Sequence, residues 1–405
     1  MIVIEKSIAN IIFCRTDNFA LRSFINQMKQ KHLLMRDMVE KKGVVICTSQ
    51  PGTGRDLYLQ ELKEKREFFY YHLFEYIVEE AKKEGYALST LNVLDFYDSK
   101  PNKLESFRTR ALAKIIREIK EKDGIHVIST PYHFEWKGKS YTGLRKEEVE
   151  ALDPDLFLVI IDDIVRVKNR LKEDPQWKEH RFTLVELSQW RREEITGVYN
   201  LSRSFTPYKE FYLVARENEI DFLEELIFAR HKSKVYLSHP ITGESNEFFE
   251  NIRRFASILQ PYYTIFDPSM IKDWAMVETW RNVRNTAIRE GKETPRKIQV
   301  SIDYAEGKKD YELDSWDIEA AIKNLRAQII DIDYKIIESC NSIIAYNPRE
   351  QLSAGVMCEM VYSMSLAKFV YAYYPFEPSP FFEWYTTKIF SDEKIIVKYL
   401  TDIAK

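Results

Sequence analysis

The sequence predicts an α/β fold made of two doubly wound domains, each built on a parallel sheet. Three observations carry this expectation. Strand-like runs alternate with helix-like stretches, the order that requires crossover connections and parallel pairing. The alternation comes in two series, with a break near residues 220–232. The chain has 405 residues, too many for one ordinary core, and a 45% hydrophobic share that is ample for two.

The first forty residues read as a short strand and a helix, with apolar residues at helical spacing in "NFALRSFINQMKQKHLLMRDMVEKK". This extension is placed at residues 1–42 and a first domain at 43–225. "GVVICTS" is a strand, followed by a loop and a long helical region ending at Gly85, a glycine suited to closing a helix. "YALSTLNVLDF" reads as strand and loop, "KLESFRTRALAKIIREIKEKDG" as a helix and "IHVISTP" as a strand. "KEEVEALDP" is a short helix, and "DLFLVIIDD" a continuous apolar run that suits a buried parallel strand.

The second domain is placed at 233–405. Its series runs from the strand in "KVYLSHPITG" through a helix opened by acids, the strand "YTIFDP" and the helix "DIEAAIKNLRAQIIDIDYKIIESC". The strand "NSIIAYNP", the helix "GVMCEMVYSMSLAK" and the strand "FVYAYYP" complete it. The charged stretch at about 269–314 is taken as an insertion over one end of this second sheet.

Lys+Arg total 60 against Asp+Glu 63, a net charge of -3 that gives no general attraction for nucleic acid or membrane. No apolar run approaches the roughly 18 residues of a membrane span. The first residues carry charges too early for a signal peptide, so a cytoplasmic protein is expected. Cys14, Cys47, Cys340 and Cys358 include no C-x-x-C pair, so neither a disulfide framework nor a structural metal site is expected.

Two stretches carry chemistry. "TSQPGTGRD", Thr48 to Asp56, resembles the G-x-x-x-x-G-K-[ST] loop whose backbone amides and following helix hold phosphates. Gly52, Thr53 and Gly54 keep the loop's character. Arg55 stands where the loop needs lysine, and Asp56 where it needs the magnesium-binding hydroxyl. Arg55 can hold phosphate bidentately. Asp56 puts negative charge beside a polyphosphate, so repulsion is the simpler expectation. The second stretch is "SAGVMCEMVYSM", in which Glu359 sits in the first turns of a helix on an apolar face with Val356, Met360 and Met364. Spacing alone leaves two readings: an acid favouring the helix N-terminus, or a carboxylate that is paired or used.

From about Gly43 to Leu201 the chain resembles archaeal-type adenylate kinases and related nucleoside monophosphate kinases. The matching pieces are "GVVICTSQPGTGRD", "LNVLDF", "HVISTPYHFEWKGKSYTGL", "ALDPDLFLVIIDD" and "ELSQWRREEITGVYNLS". Ser129 stands where the family has an aspartate, and Arg181, Arg191 and Arg192 remain of its arginine-rich lid. The departures at Arg55, Asp56 and Ser129 point away from phosphoryl transfer, which depends on positioning and charge. Asp162 and Asp163 close a strand where the family has Glu and Ala, and either touch a nucleotide or cap the sheet. The resemblance implies ATP or another nucleotide, with or without Mg2+, at Gly52, Thr53, Gly54, Arg55 and Asp56.

From about Lys234 to Pro375 the chain resembles the nucleoside 2-deoxyribosyltransferase family, in particular its 2'-deoxynucleoside 5'-monophosphate N-glycosidases. The residues are "VYLSHPITG", Asp333 before "ESCNSIIAY", and Ser353, Gly355, Glu359, Met360, Tyr362 and Ser363. The resemblance implies Glu359 as nucleophile, Tyr236 as its orienting partner and Asp333 positioning the sugar or the leaving base. It implies Ser353, Gly355, Ser238 and His239 on the substrate side. Ser353 stands where transferases of free nucleosides carry Asp, so a 5'-phosphate is expected there. His239 and Pro240 depart from the small residues common at that place. No metal or cofactor is required for this chemistry, and a homodimer or larger homo-oligomer is implied. "YYPFEPSPFF" is read either as a cap on a neighbouring subunit's site or as a packed tail. Arg281, Arg284 and Arg289 either reach a phosphate or lie on a solvated helix. Base exchange, a non-catalytic nucleotide sensor, an active kinase and NAD cleavage stand as alternatives.

Overall fold

The computed structural model describes residues 42–405 apart from 137 and 138. The extension expected at 1–42 lies, but for Lys42, outside the described residues. The described chain divides into two units: residues 42–227 with Met270–Ile329, and Phe228–Ser269 with Ile330–Lys405.

In the first unit the strands are β1 (Gly43–Thr48), β2 (Phe69–His72), β3 (Ile125–Ser129), β4 (His133–Trp136), β5 (Lys139–Thr142), β6 (Leu156–Ile161) and β7 (Glu210–Ala215). Five of them form a sheet in the order β2-β3-β1-β6-β7, every pairing parallel. β1, β3 and β6 are buried along their whole length, as continuous apolar runs require when helices cover both faces. Leu59, Leu62, Phe157, Leu158 and Val198 are fully buried. Each such side chain contributes about 1.5–3 kcal/mol of transfer free energy. β4 and β5 form a separate antiparallel hairpin.

The second unit carries β8 (Ser233–Ser238) and β9 (Tyr263–Phe266). The first unit's segment then supplies β10 (Lys297–Tyr304) and β11 (Gly307–Asp314). β12 (Ser342–Tyr346), β13 (Phe369–Tyr373) and β14 (Lys388–Phe390) complete the second unit. Its sheet runs β14-β13-β12-β8-β9, all parallel. Counted within the sheet this is the 2-1-3-4-5 order of a doubly wound fold. Connections leave β8 and β12 in opposite directions, so a crevice is expected at the C-terminal ends of these two strands. Val235 and Leu237 enter the core with Phe255, Ile344 and Ile396. Strand alternation then turns Tyr236 and Ser238 to the other face.

Two α/β units with parallel sheets thus agree with the expected fold class; several elements differ. "EFFYYHLFEY" contains β2 and then the helix Leu73–Lys83, not one continuous helix. Residues Val93–Ser99, read as strand and loop, are helical. The stretch at 269–314 is ordered into the helix Asp273–Arg289 and the antiparallel hairpin β10–β11. It belongs to the first unit. Ile298, Val300 and Ile302 are buried, and polar contacts join them: Tyr304 donates to Asp163 at 2.7 Å, and the Asp273 carboxylate lies 2.6 Å from the Arg191 guanidinium. The helix Ser315–Ser339 carries residues of both units. No helix among the described residues is long and apolar enough to cross a membrane.

Candidate active site

Tyr236 and Ser238 are two residues apart on β8 and point the same way. Both reach Glu359, on the second turn of the helix Ala354–Ser365 that follows β12. The Tyr236 hydroxyl donates to Glu359 Oε1 at 3.2 Å, and the Ser238 hydroxyl donates to Oε2. Tyr236 and Ser238 are themselves fully buried, whereas Glu359 keeps partial access to solvent. Burial pushes the Glu359 carboxyl up to about 7, against the pull of Ser238, Tyr236 and the nearby His239.

Asp333 projects from the helix Ser315–Ser339 toward the same group. Burial and then the Glu359 charge hold its carboxyl well above the usual range. Two neighbouring acids that repel each other's charge titrate as a pair, so one proton is held between them. Two hydroxyls donate to Glu359, which makes it the better seat for the charge and leaves the proton to Asp333. The expected trio of Glu359, Tyr236 and Asp333 is therefore brought together.

Ser353 occupies the N-cap position of the Glu359 helix, but its side chain caps no backbone amide. Ala354 and Gly355 are exposed, and a side chain built at Gly355 would meet only the Ser353 Oγ, at 3.7 Å. An open helix N-terminus with a free hydroxyl beside it suits an anion. One wall nearby is Tyr334 stacked on Tyr362, ring centroids 4.0 Å apart. Tyr334 was missed in the sequence because nothing in its helical spacing distinguishes it.

His239 does not line the substrate side as expected. Its side chain is fully buried, Nε2 lies 3.0 Å from Asp267 Oδ1 and Nδ1 lies 2.9 Å from the Pro240 carbonyl. Both nitrogens are spent inside the protein. Asp267, just past the end of β9, was also missed, since its role depends on the pairing of β8 with β9.

The first unit's loop also differs from its expected working form. Gly52 and Gly54 have φ of 83° and 84°, conformations that favour glycine. A side chain at Gly52 would also collide with Leu171, 2.8 Å away. Arg55 is buried and binds its own neighbour bidentately: Nε to Asp56 Oδ1 at 3.1 Å and Nη2 to Oδ2 at 2.9 Å. Asp56 also accepts from the Tyr70 hydroxyl at 3.0 Å and from Ser129. Burial would raise its pKa, yet Arg55 and these donors hold it far below the carboxylate range. The expected repulsion by Asp56 is thus largely cancelled by Arg55. Its oxygens are already taken by hydrogen donors, so this set does not fit Mg2+. Among the described residues no group of three or more His, Cys, Asp or Glu is placed to hold a metal ion.

Two further arginines, Arg170 and Arg191, are similarly committed. Arg170 donates to the Gly52 and Thr53 carbonyls and to Asp162, and Arg191 is bound by Asp273 and Gln328. Arg181 and Arg192 are exposed, as are Arg281, Arg284 and Arg289 on their helix. A cleft of about 920 Å3 opens beside the loop, lined by Tyr58, Arg170, Arg216, Asn218, Lys309 and Tyr311 among others.

No family model matches the chain, and no curated protein matches it. Among solved structures, one match is an uncharacterized protein from Eubacterium ventriosum ATCC 27560. It is 12% identical, and the match covers 47% of this chain and 98% of that one with a TM-score of 0.27. So low a score carries no argument about fold or function.

Proposed function

We propose that the second unit cleaves the N-glycosidic bond of a nucleoside or deoxynucleoside 5'-monophosphate, with Glu359 as nucleophile. The observation that carries this reading is the Glu359 carboxylate held by the Tyr236 and Ser238 hydroxyls, at the C-terminal end of β8.

Glu359 Oε attacks C1' of the sugar as the bond from C1' to the base nitrogen breaks. The bonding pair leaves with the base, which takes the Asp333 proton. Water then attacks C1' of the glycosyl ester, and the Asp333 carboxylate accepts its proton, releasing Glu359. Tyr236 and Ser238 fix the carboxylate, so that little reorganisation accompanies attack. The open helix N-terminus at Ser353 and Gly355 receives the 5'-phosphate. The chain's own residues supply the first nucleophile and the proton for the leaving base, and water supplies the second nucleophile.

The pH dependence follows. Glu359 must be ionised and Asp333 protonated. Activity is expected to rise as pH increases through about 7, where Glu359 loses its proton, and to fall again when Asp333 loses its own. kcat/KM for base release, measured from about pH 5 to about pH 10, checks this. A profile already flat at about pH 5 would show an ordinary carboxylate and sink this pair assignment.

The first unit is read as a nucleotide-holding module without transfer chemistry, because its arginines are bound to its own carboxylates. Asp56→Asn keeps the shape and frees the Arg55 charge. It is expected to tighten ATP binding by roughly tenfold, measured by calorimetry. An Asp56→Asn protein that binds ATP no better than the wild type, with Arg55→Ala equally silent, leaves the loop with packing alone.

A further inference from the structure

We propose that His239 and Asp267 form a buried ion pair that biases the shared proton toward Asp333 and keeps Glu359 a carboxylate, without touching substrate. This rests on the reading of Glu359 as nucleophile. It makes His239 a positioning residue, acting through the field at Glu359 and through its neighbour Ser238.

The geometry fixes the charge of the ring. Nδ1 faces the Pro240 carbonyl at 2.9 Å, and a carbonyl only accepts, so Nδ1 carries hydrogen. Nε2 faces Asp267 Oδ1 at 3.0 Å, and the same oxygen accepts the Ser269 amide at 2.8 Å, as suits an unprotonated carboxylate. Nε2 therefore carries hydrogen as well, and the ring is an imidazolium. Burial opposes that charge, but Asp267 and the two hydrogen bonds outweigh it and hold the ring's pKa above its ordinary value. Asp267 is correspondingly lowered by His239 despite its own burial.

The ring is sealed from ligand. Its side chain is fully buried, with the Phe248 and Phe249 rings each 6.1 Å away. The charged groups facing it are Asp267, Glu359 and Glu244, the last paired with Arg349. The two acids stand differently toward the ring. His239 directly follows Ser238, the donor to Glu359 Oε2, and favours the ionised form of Glu359, whereas Asp333 lies on the separate helix Ser315–Ser339. Without such a bias, two neighbouring buried carboxyls place their proton on either one. A fixed buried cation beside one of them assigns the roles of nucleophile and acid.

The test uses the full chain. In protein labelled at glutamate carboxyl carbons, the Glu359 signal is identified by its loss in Glu359→Gln. In His239→Gln the Glu359 pKa is expected to move up by about one unit, and base release at about pH 6 to drop roughly tenfold, recovering as pH increases. Asp267→Asn is expected to do the same. An unmoved Glu359 pKa, or a loss equal at every pH, overturns the proposal in favour of a packing role. If the variants fail to fold, the wild-type ring decides: its nitrogen signals should show both protons at about pH 7, and a neutral ring overturns the ion pair. Failure of the parent reading is separate, since wild-type protein would then free no base at any pH.

Discussion

Glu359→Gln is expected to slow base release by about four orders of magnitude while leaving the fold intact. The amide is nearly the size of the carboxylate and keeps most of its contacts. Its carbonyl can accept the Tyr236 hydroxyl, and the Ser238 hydroxyl can turn to accept from its amino group. A neutral group also suits a place where burial has already raised the acid's pKa to about 7. Thermal stability should therefore hold, separating chemistry from folding. The amide cannot form the glycosyl ester, and the two-step route is lost. The measurement is free base released from a panel of nucleoside and deoxynucleoside 5'-monophosphates, with NAD as an outgroup. Base freed at the wild-type rate by the purified variant would remove Glu359 from the mechanism. Binding of those nucleotides with no product from either protein would favour a sensor.

The roles expected of Glu359, Tyr236 and Asp333 come from the family resemblance, since spacing alone leaves Glu359 with two readings, and Ser238 is expected on the substrate side, not as a holder of Glu359. Physical regularity explains the meeting: Tyr236 and Ser238 share a face because a strand has a period of two, and Glu359 follows a strand in the first turns of a helix. Those regularities bring the three together in any parallel sheet where β8 pairs with β12, as they do here through Tyr236↔Ile343 and Ser238↔Ala345. Asp333 required more, since only the phase of its helix turns it toward the pair. His239 and Asp267 were beyond reach. Their meeting depends on the register of β8 with β9, which no local pattern encodes.

The fold divided in the same way. Strands made of continuous apolar runs, such as Leu156–Ile161, were plain. β2 was hidden because "FFYYHLFEY" passes from strand to helix without glycine or proline to mark the change. In "KIQVSIDY" the signal was present and passed over: alternate residues are buried along all of β10. The surrounding charge marks the segment as an insertion, although some of that charge is what anchors it.

Breaking the anchor between Arg191 and Asp273 is expected to destabilise the first unit by about 3–5 kcal/mol. Both side chains are almost completely buried, 1% and 0% exposed. Arg191 Nη1 meets Asp273 Oδ2 at 2.6 Å and the Asp162 carbonyl at 3.0 Å, while Nε and Nη2 both reach Gln328 Oε1 at 3.1 Å. Arg191→Met preserves much of the volume and removes the charge. Asp273 is then left without its cation in the interior beside Asp163, whose carboxyl is already raised to about 8 by burial and by the charges of Asp162 and Asp273. The cost is that of an uncompensated buried carboxylate, so removing the second partner should recover part of it. Arg191→Met with Asp273→Leu is accordingly expected to be more stable than Arg191→Met alone, by denaturant midpoint. If the single change costs under about 1 kcal/mol, the pair is no more than a surface-grade contact and cannot be what holds the segment Met270–Ile329 to the first unit.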